Sequence, residues 1–479
     1  MSFALAELLE GAGAALPRLK VEGVNADSRA IRPGEVFFAI PGLKTHGDAF
    51  AAQARANGAK AMVSNRRPSA DPGIPVIVVD DVRAAYARAA ATQYAPPPET
   101  IVGVTGTNGK SSIVSFVRQI WSACGLSAAS VGTVGIETAS GLIPGELTTP
   151  DALSLHRDLG NLRARGIDHV AMEASSQGLD QRRVDGVRFS AVAFTNLSRD
   201  HLDYHADMAE YRDAKVRLFT DLIAEGGAAV VNVDDPEHEA FMFAALASGA
   251  TLMTVGREGA WFEIESIVRE GYGQRVKGRL VGEPEEFHLP LTGAFQASNA
   301  VVALGLAMAT GASKKGAIES LGKLKGARGR LELVAEHNGA AIFVDYAHKP
   351  VALETALTAL RPYASNQLRV VFGAGGDRDT GKRPMMGEIA GRLADKAIVT
   401  DDNPRTENAA SIRAEIVAAV PGADEIGDRR KAIEHAVRSL EPGDVLLIAG
   451  KGHEDYQIVG TTKHHFSDHE VVAETLKDL

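Results

Sequence analysis

Short apolar runs recur along the chain, and each empties into a polar loop rich in glycine or aspartate. In the middle of the chain they read TIVGVT before GTNGKSS, DHVAMEAS from Asp168, FSAVAFTN from Phe189 and GAAVVNVDD from Gly227. Continuous rather than alternating hydrophobicity marks strands buried on both faces, as in parallel sheets. Stretches with helical spacing separate them, among them SIVSFVRQIWSACG and LSLHRDLGNLRARG. From about residue 329 the theme returns in AAIFVDYAH, LRVVFGAGGDRD, KAIVTDDNPR and DVLLIAGKGHED. The alternation predicts doubly wound α/β domains, which bind ligands at the carboxyl ends of their strands.

The triplet Pro96, Pro97 and Pro98 stiffens the backbone and ends any helix before it, so a boundary is expected there. With 479 residues the chain exceeds a single core. Three domains are expected: 1–97, 98–328 and 329–479. No repeat of solenoid period and no low-complexity tract interrupts them.

Composition narrows the function. Apolar residues make up 45% and charged residues 23%, the balance of a globular enzyme. The net charge of −10 argues against general nucleic-acid binding. Anion sites then require local concentrations of cations, and two are expected: Arg182, Arg183 and Arg188, and Arg378, Lys382 and Arg383. Cys124 is the only cysteine, which excludes an internal disulfide and fits a reducing compartment. The N-terminus lacks the basic start of a signal peptide, and no apolar run approaches the ~20 residues of a membrane span. A cytoplasmic protein with no membrane partner is expected.

The densest chemistry lies in ETIVGVTGTNGKSS, residues 99–112. Gly103, Gly106 and Gly109 are read as letting the backbone curl so that N–H groups face phosphate oxygens. The helix that follows adds its N-terminal dipole. Lys110 is placed to meet the β- and γ-phosphates, and Ser111 to ligate Mg²⁺. The match to the usual G-x-x-x-x-G-K-[ST] spacing is inexact, because Val104 holds the first glycine's place. Glu173, at the end of the buried strand from which MEASSQGLDQRR (172–183) leaves, is a candidate oxygen ligand for the same ion. His201 and His205 stand four apart, but no third ligand has metalloenzyme spacing. On residues alone, the phosphate loop also fits a nucleotide switch or motor ATPase.

The spelling GTNGKSS resembles the phosphate loop of the Mur ligases and of their relative folylpolyglutamate synthetase, which join a carboxylate to an amine with ATP. FTNLSRDHLDYHADMAEYRDAKVRLF (194–219) resembles the next signature of the Mur ligases, and the ordered set of motifs covers essentially the whole chain. The resemblance implies an N-terminal α/β domain binding a UDP-sugar, a central P-loop domain, and a Rossmann-like C-terminal domain. It implies ATP as co-substrate, two Mg²⁺ ions, and addition of meso-diaminopimelate to UDP-MurNAc-L-Ala-D-Glu by a monomer in peptidoglycan precursor synthesis. ATP would lie on Gly106, Thr107, Asn108, Gly109, Lys110, Ser111, Ser112 and Asn299, reached by Arg330, Asp345 and His348 from the third domain. His201 would lie near the metal and nucleotide. Lys215, a plain helix lysine when read alone, falls where the family carries a carbamylated lysine, a modification that needs a depressed amine pKa.

Further positions follow from the same resemblance. Ala26, Ser28 and the turn Leu43, Lys44 and Thr45 would contact the UDP-sugar, with Thr148, Thr149, Ser175, Gln181 and Arg183 on the peptide side. Leu147 stands where the family usually has asparagine. Asp402, Asn403, Pro404 and Arg405 resemble the form found in diaminopimelate-adding members. Arg405 and Arg378 would grip the distal carboxylate, while Gly450 and Glu454 hold an amino group. Domain closure is expected, with its hinge at about 325–332.

Overall fold

The computed structural model describes residues 2–10, 16–42, 45–145 and 147–479. Compactness divides the chain into two units. One comprises 1–264, 279–283 and 299–320; the other comprises 265–278, 284–298 and 321–479. The first unit therefore holds most of both segments 1–97 and 98–328. The reason is apolar packing. The N-terminal core of Val36, Phe38, Val63, Ile77 and Tyr86 takes in Ala152, from the helix Ala152–Ala164 of the central segment. That helix packs on Val82–Gln93.

The N-terminal part of this unit is a parallel sheet of Gly23–Asn25, Glu35–Phe38, Ala61–Ser64 and Val76–Val78, in that order. The central sheet has eleven strands, of which the first eight in order are 141–144, 135–138, 128–132, 169–173, 100–105, 189–194, 223–232 and 251–256. These eight are parallel except for the hairpin 135–144. Strand 100–105 lies between 169–173 and 189–194. The chain leaves it in one direction and returns on its other side, which opens a crevice at its carboxyl end. The phosphate loop and Glu173 both sit at that switch point.

The second unit carries a sheet ordered 332–337, 340–345, 445–449, 368–372, 396–399 and 424–425, parallel apart from its first strand. Its two central strands, 445–449 and 368–372, are completely buried, as expected of strands covered on both faces. The loops after Asp345, Phe372, Val399 and Ala449 consequently leave one edge of the sheet together. Among the described residues no helix is long and apolar enough to cross a membrane.

Candidate active site

The phosphate loop is shaped by two glycines. Gly106 (φ 143°) and Gly109 (φ 87°) adopt backbone that side chains disfavour. A Cβ at Gly106 would also collide with Thr195 Oγ1. Gly109 caps the helix Lys110–Ala123, and the Lys110 ammonium folds back to donate to the carbonyls of Gly106 and Thr107, both at 2.8 Å. Gly103 has a different role from the one its sequence suggests. It lies inside strand 100–105, where an added Cβ would be 2.9 Å from the Phe189 ring and 3.0 Å from Leu218. It is glycine for close packing and forms no part of the phosphate turn.

The loop is fastened to the neighbouring strand's exit. Thr107 N donates to Asn196 O, Asn108 N donates to the Asn196 side chain, and Thr195 Oγ1 donates to Asn108 O at 2.7 Å. Asn299 lies within the helix Phe295–Ala309. Its side-chain oxygen would be 2.6 Å from a Cβ at Gly109, so it abuts the turn directly. Ser112 is buried on the same helix as Ser111.

Ser111 Oγ donates to Glu173 Oε1 at 2.9 Å, and the same carboxylate accepts from Thr133 N at 2.8 Å. Gly132 admits it, since any Cβ there would strike Glu173. Serine hydroxyl and buried carboxylate form a compact oxygen donor set of the kind a hard Mg²⁺ ion takes. Lys215, 1% exposed, donates to Gly106 O at 2.9 Å, so it and Lys110 share one carbonyl. Burial pushes its amine well below the usual lysine range; the Lys110 charge adds to this and Asp200 opposes it. The Tyr211 ring lies 4.3 Å from its Nζ and the Tyr211 hydroxyl 3.1 Å from Thr107 Oγ1. The plain reading of Lys215 as a solvated helix residue is thereby overturned. His201 lies in the turn before this helix, 6.1 Å from Tyr211 between ring centres, whereas His205 is fully buried against Tyr204 and Tyr211. Among the described residues no histidine, cysteine and carboxylate cluster could hold a metal ion by itself.

A cleft of about 840 Å³ opens in the same unit. Ala26, Ser28, Gln181 and Arg183 line it, as does Leu147, whose side chain is 46% exposed. Ser28 donates to Gln53, and Arg183 is oriented by Gln181 Oε1 and Thr149 O. Thr148, Thr149 and Ser175 do not line the cleft. Thr148 meets Thr133, while Thr149 joins Ser175 and the Glu173 carbonyl, so these hydroxyls shape the loop beside Glu173. Thr45 is exposed and away from the lining; Leu43 and Lys44 lie outside the described residues. The expected cluster of Arg182, Arg183 and Arg188 dissolves. Arg182 pairs with Asp81 at 3.0 Å and Arg188 donates to Asp221 O, which leaves Arg183 for the cleft. Asn25, Arg83 and Tyr86 were not singled out from sequence, because only tertiary packing brings residues 25–86 beside 147–183.

In the second unit, Asp402, Asn403, Gly450 and Glu454 converge. Asn403 donates to Glu454 Oε2 at 3.2 Å and accepts from Lys451 at 3.2 Å. Lys451 is fully buried, 3.7 Å from Asp402 and 3.6 Å from Glu454. It stands inside GKGHED but was not picked out there. Burial raises the Glu454 carboxyl, with Lys451 opposing. Gly450 (φ 118°) must be glycine, since a Cβ would lie 2.9 Å from Asp402 Oδ2. Pro404 passes its carbonyl close over Gly376, and Arg405 donates to Gly376 O at 2.7 Å. Arg378 is exposed. Arg383 leaves the expected anion cluster: it is 1% exposed and paired with Glu407 and Glu415. Lys382 donates to His348 O.

Asp345 ends its strand, accepts from Leu331 N at 2.6 Å, and is pushed up to about 6 by burial against the pull of Arg330. Arg330 lies 5.0 Å over the Tyr346 ring. His348 is held down at about 4 by burial. Of the expected hinge, residues 329–331 are fastened within this unit: Tyr346 N donates to Gly329 O, and a Cβ at Gly329 would collide with Gly452 and His453.

A glycine-rich turn at a helix N-terminus, an acid on its serine and a buried lysine at a sheet switch point define a phosphate-loop nucleotide-dependent enzyme. The Mur ligase middle domain matches residues 104–307, the Mur ligase glutamate ligase domain 329–452, and the Mur ligase family catalytic domain 20–94. The chain belongs to the Mur ligase family. It is 50% identical over 476 residues to the UDP-N-acetylmuramoyl-L-alanyl-D-glutamate--2,6-diaminopimelate ligase of Mesorhizobium japonicum, covering 99% of this chain and 98% of the relative. The enzyme of the same name from Brucella melitensis is 51% identical over 96% of this chain and 94% of its own. A solved structure of a ligase of that name superposes with a TM-score of 0.74 at 32% identity, covering 100% and 99% of the two chains. The ADP complex of the Thermotoga maritima MurF ligase shares the fold, with a TM-score of 0.60 at 18% identity over 96% and 97%.

Proposed function

We infer that the chain is an ATP-dependent ligase that adds meso-diaminopimelate to the D-glutamyl residue of UDP-MurNAc-L-Ala-D-Glu in peptidoglycan precursor synthesis. The full-length identity of about half to ligases named for that reaction carries the reading. The geometry supplies the parts. In our reading the nucleotide lies on residues 106–112 and Asn299, and the N–H groups and helix dipole of the turn hold its phosphates. Arg330, Asp345 and His348 are the candidates for nucleotide contact in the second unit. Ala26, Ser28, Gln181 and Arg183 receive the UDP-linked dipeptide.

The reaction then runs in two steps. The γ-carboxylate of the D-glutamyl residue attacks the γ-phosphorus of ATP; the bond to the β-γ bridging oxygen breaks and ADP leaves. The amine of diaminopimelate attacks the acyl carbon, and inorganic phosphate departs with the former carboxylate oxygen. Lys110 moves from its two carbonyls to the phosphoryl oxygens and spreads the charge that develops there. Ser111 and Glu173 would hold Mg²⁺, and Lys215 as its carbamate would hold a second ion. When bound, these ions neutralise the phosphate oxygens. The buried, easily deprotonated amine of Lys215 supports that modification, because only a neutral amine adds CO₂. A cytoplasmic location and a monomer belong to the same reading.

Arg405 would grip the carboxylate that distinguishes diaminopimelate from lysine, with Asn403, Gly450 and Glu454 at the amino group of that end. A site that leaves a buried polar group unpaired rejects the shorter analogue by up to ~10⁴. Lysine is therefore a very poor substrate, and Arg405→Ala raises KM for diaminopimelate far more than for ATP. Equal use of lysine and diaminopimelate by the unaltered enzyme would refute this assignment of the amino acid.

A further inference from the structure

Four described non-glycine residues of the second unit, Leu331, Asn338, Asp377 and Arg405, stand in left-handed backbone, and Asp377 (φ 52°) and Arg405 (φ 51°) are the two that meet. Such conformations cost energy and persist where surroundings over-determine them. Asp377 and Arg405 lie on neighbouring loops, 375–379 and 402–407, that are stitched together. Gly376 N donates to Asn403 O at 2.9 Å and Arg405 Nη1 donates to Gly376 O at 2.7 Å. Thr406 donates to the Asp377 carboxylate from its N–H at 3.1 Å and from its hydroxyl at 2.8 Å. Arg405 itself is held at both ends, its N–H on Ile458 O and its carbonyl accepting from Gly460 N.

Behind both loops lies Arg383. Its Nη2 donates to the two oxygens of Glu407 at 3.0 and 2.8 Å, and its Nη1 donates to Glu415 at 3.2 Å. Glu407 in turn accepts from the strained Asp377 N–H. The path from the buried guanidinium to the substrate-facing one is therefore short: Arg383, Glu407, Asp377, Thr406, Arg405. Only arginine has the planar fork to engage two carboxylates at once.

We propose that Arg383 and Glu407 are positioning residues that set the backbone of Arg405, and so fix selectivity for an amino acid with a distal carboxylate without touching it. The proposal rests on the assignment of Arg405 to that carboxylate. Gly375 serves the same end, since a Cβ there would lie 2.8 Å from Arg405 Nη1. One guanidinium donor is spent on Gly376, and the others remain to meet a ligand once the loops hold the fork in place. Releasing Glu407 lets residues 377 and 405 relax from left-handed backbone and swings the fork away.

The test is steady-state ADP release by the full chain, with diaminopimelate or lysine as acceptor at saturating ATP and UDP-MurNAc-dipeptide. Glu407→Gln keeps the shape and weakens the clamp. A displacement of about an ångström can cost ~10² in a positioned contact, so KM for diaminopimelate rises about tenfold or more. The kcat, the KM for ATP and the kcat/KM for lysine stay near their starting values. Thr406→Val, on the exposed part of the loop, gives the same split more weakly and serves if Glu407→Gln folds poorly. Added to Arg405→Ala, Glu407→Gln has no further effect. Equal losses for diaminopimelate and lysine, a fall in kcat at constant KM, or full additivity with Arg405→Ala would overturn the positioning role. If Arg405→Ala alone left KM unchanged, the assignment of Arg405 would fail instead.

Discussion

Lys215 and Lys110 place two ammonium groups on one carbonyl, Gly106 O, with Lys215 almost fully buried. Two like charges so close, one of them desolvated, are tolerable only if one is neutral or an anion enters. Carbamylation would remove the positive charge of Lys215, and bound phosphate would draw Lys110 off. Lys215→Ala should therefore lose most activity and regain part of it with short carboxylic acids that fill the space; a fully active Lys215→Ala enzyme would contradict this. His156 gives a separate prediction about stability. Its Nε2 meets Asp185 O at 3.0 Å, and burial holds its pKa at about 4 against 6.5 unfolded. The folded pKa lies below the unfolded one, so the unfolded chain binds the proton first as pH falls. Stability should decline from about pH 6.5 to about pH 4 by roughly 3 kcal/mol from this group. His156→Gln should flatten that part of a denaturation-against-pH profile, and an unchanged slope would count against it.

At the scale of elements, what was legible in the sequence is uneven for physical reasons. The strand-to-loop junctions could be read because unbroken apolar runs ending in Gly or Asp have few other uses, and Glu173, Asp345, Asp402 and Gly450 all fall there. Gly103 was misread. A strand glycine making room for a ring and a turn glycine making room for phosphate look alike until Phe189 is seen beside one and Thr195 beside the other. The two should separate on mutation. Gly103→Ala overpacks the core and costs about 1–3 kcal/mol of stability with little change in KM for ATP. Gly106→Ala forces φ 143° and a collision on the turn, and should abolish nucleotide binding. Equal effects on nucleotide binding, read by titration calorimetry, would refute the distinction. The basic clusters failed for another reason. Arg182 and Arg383 were counted as charges, but their partners Asp81, Glu407 and Glu415 are remote in sequence. The cleft residues Arg83 and Tyr86 were missed likewise, since nothing local distinguishes them from other helix positions.

For the whole molecule, the account is that three Mur ligase domains supply separate parts of one reaction, and that phosphoryl transfer from ATP is tied to both other substrates. An enzyme that merely switches on nucleotide, or a UDP-sugar binder, has no use for Glu173 on Ser111, Lys215 at the phosphate turn, and the cluster around Arg405 in one chain. The family matches span all three parts, and the relatives of about half identity cover nearly the full length. The most direct measurement is ADP release by the purified full chain, with ATP, Mg²⁺, UDP-MurNAc-L-Ala-D-Glu and meso-diaminopimelate omitted in turn. The account predicts rapid ADP and phosphate release, with one UDP-linked tripeptide formed per ADP, only when all are present. ADP release that continues unchanged without the UDP-linked dipeptide and the amino acid would contradict it.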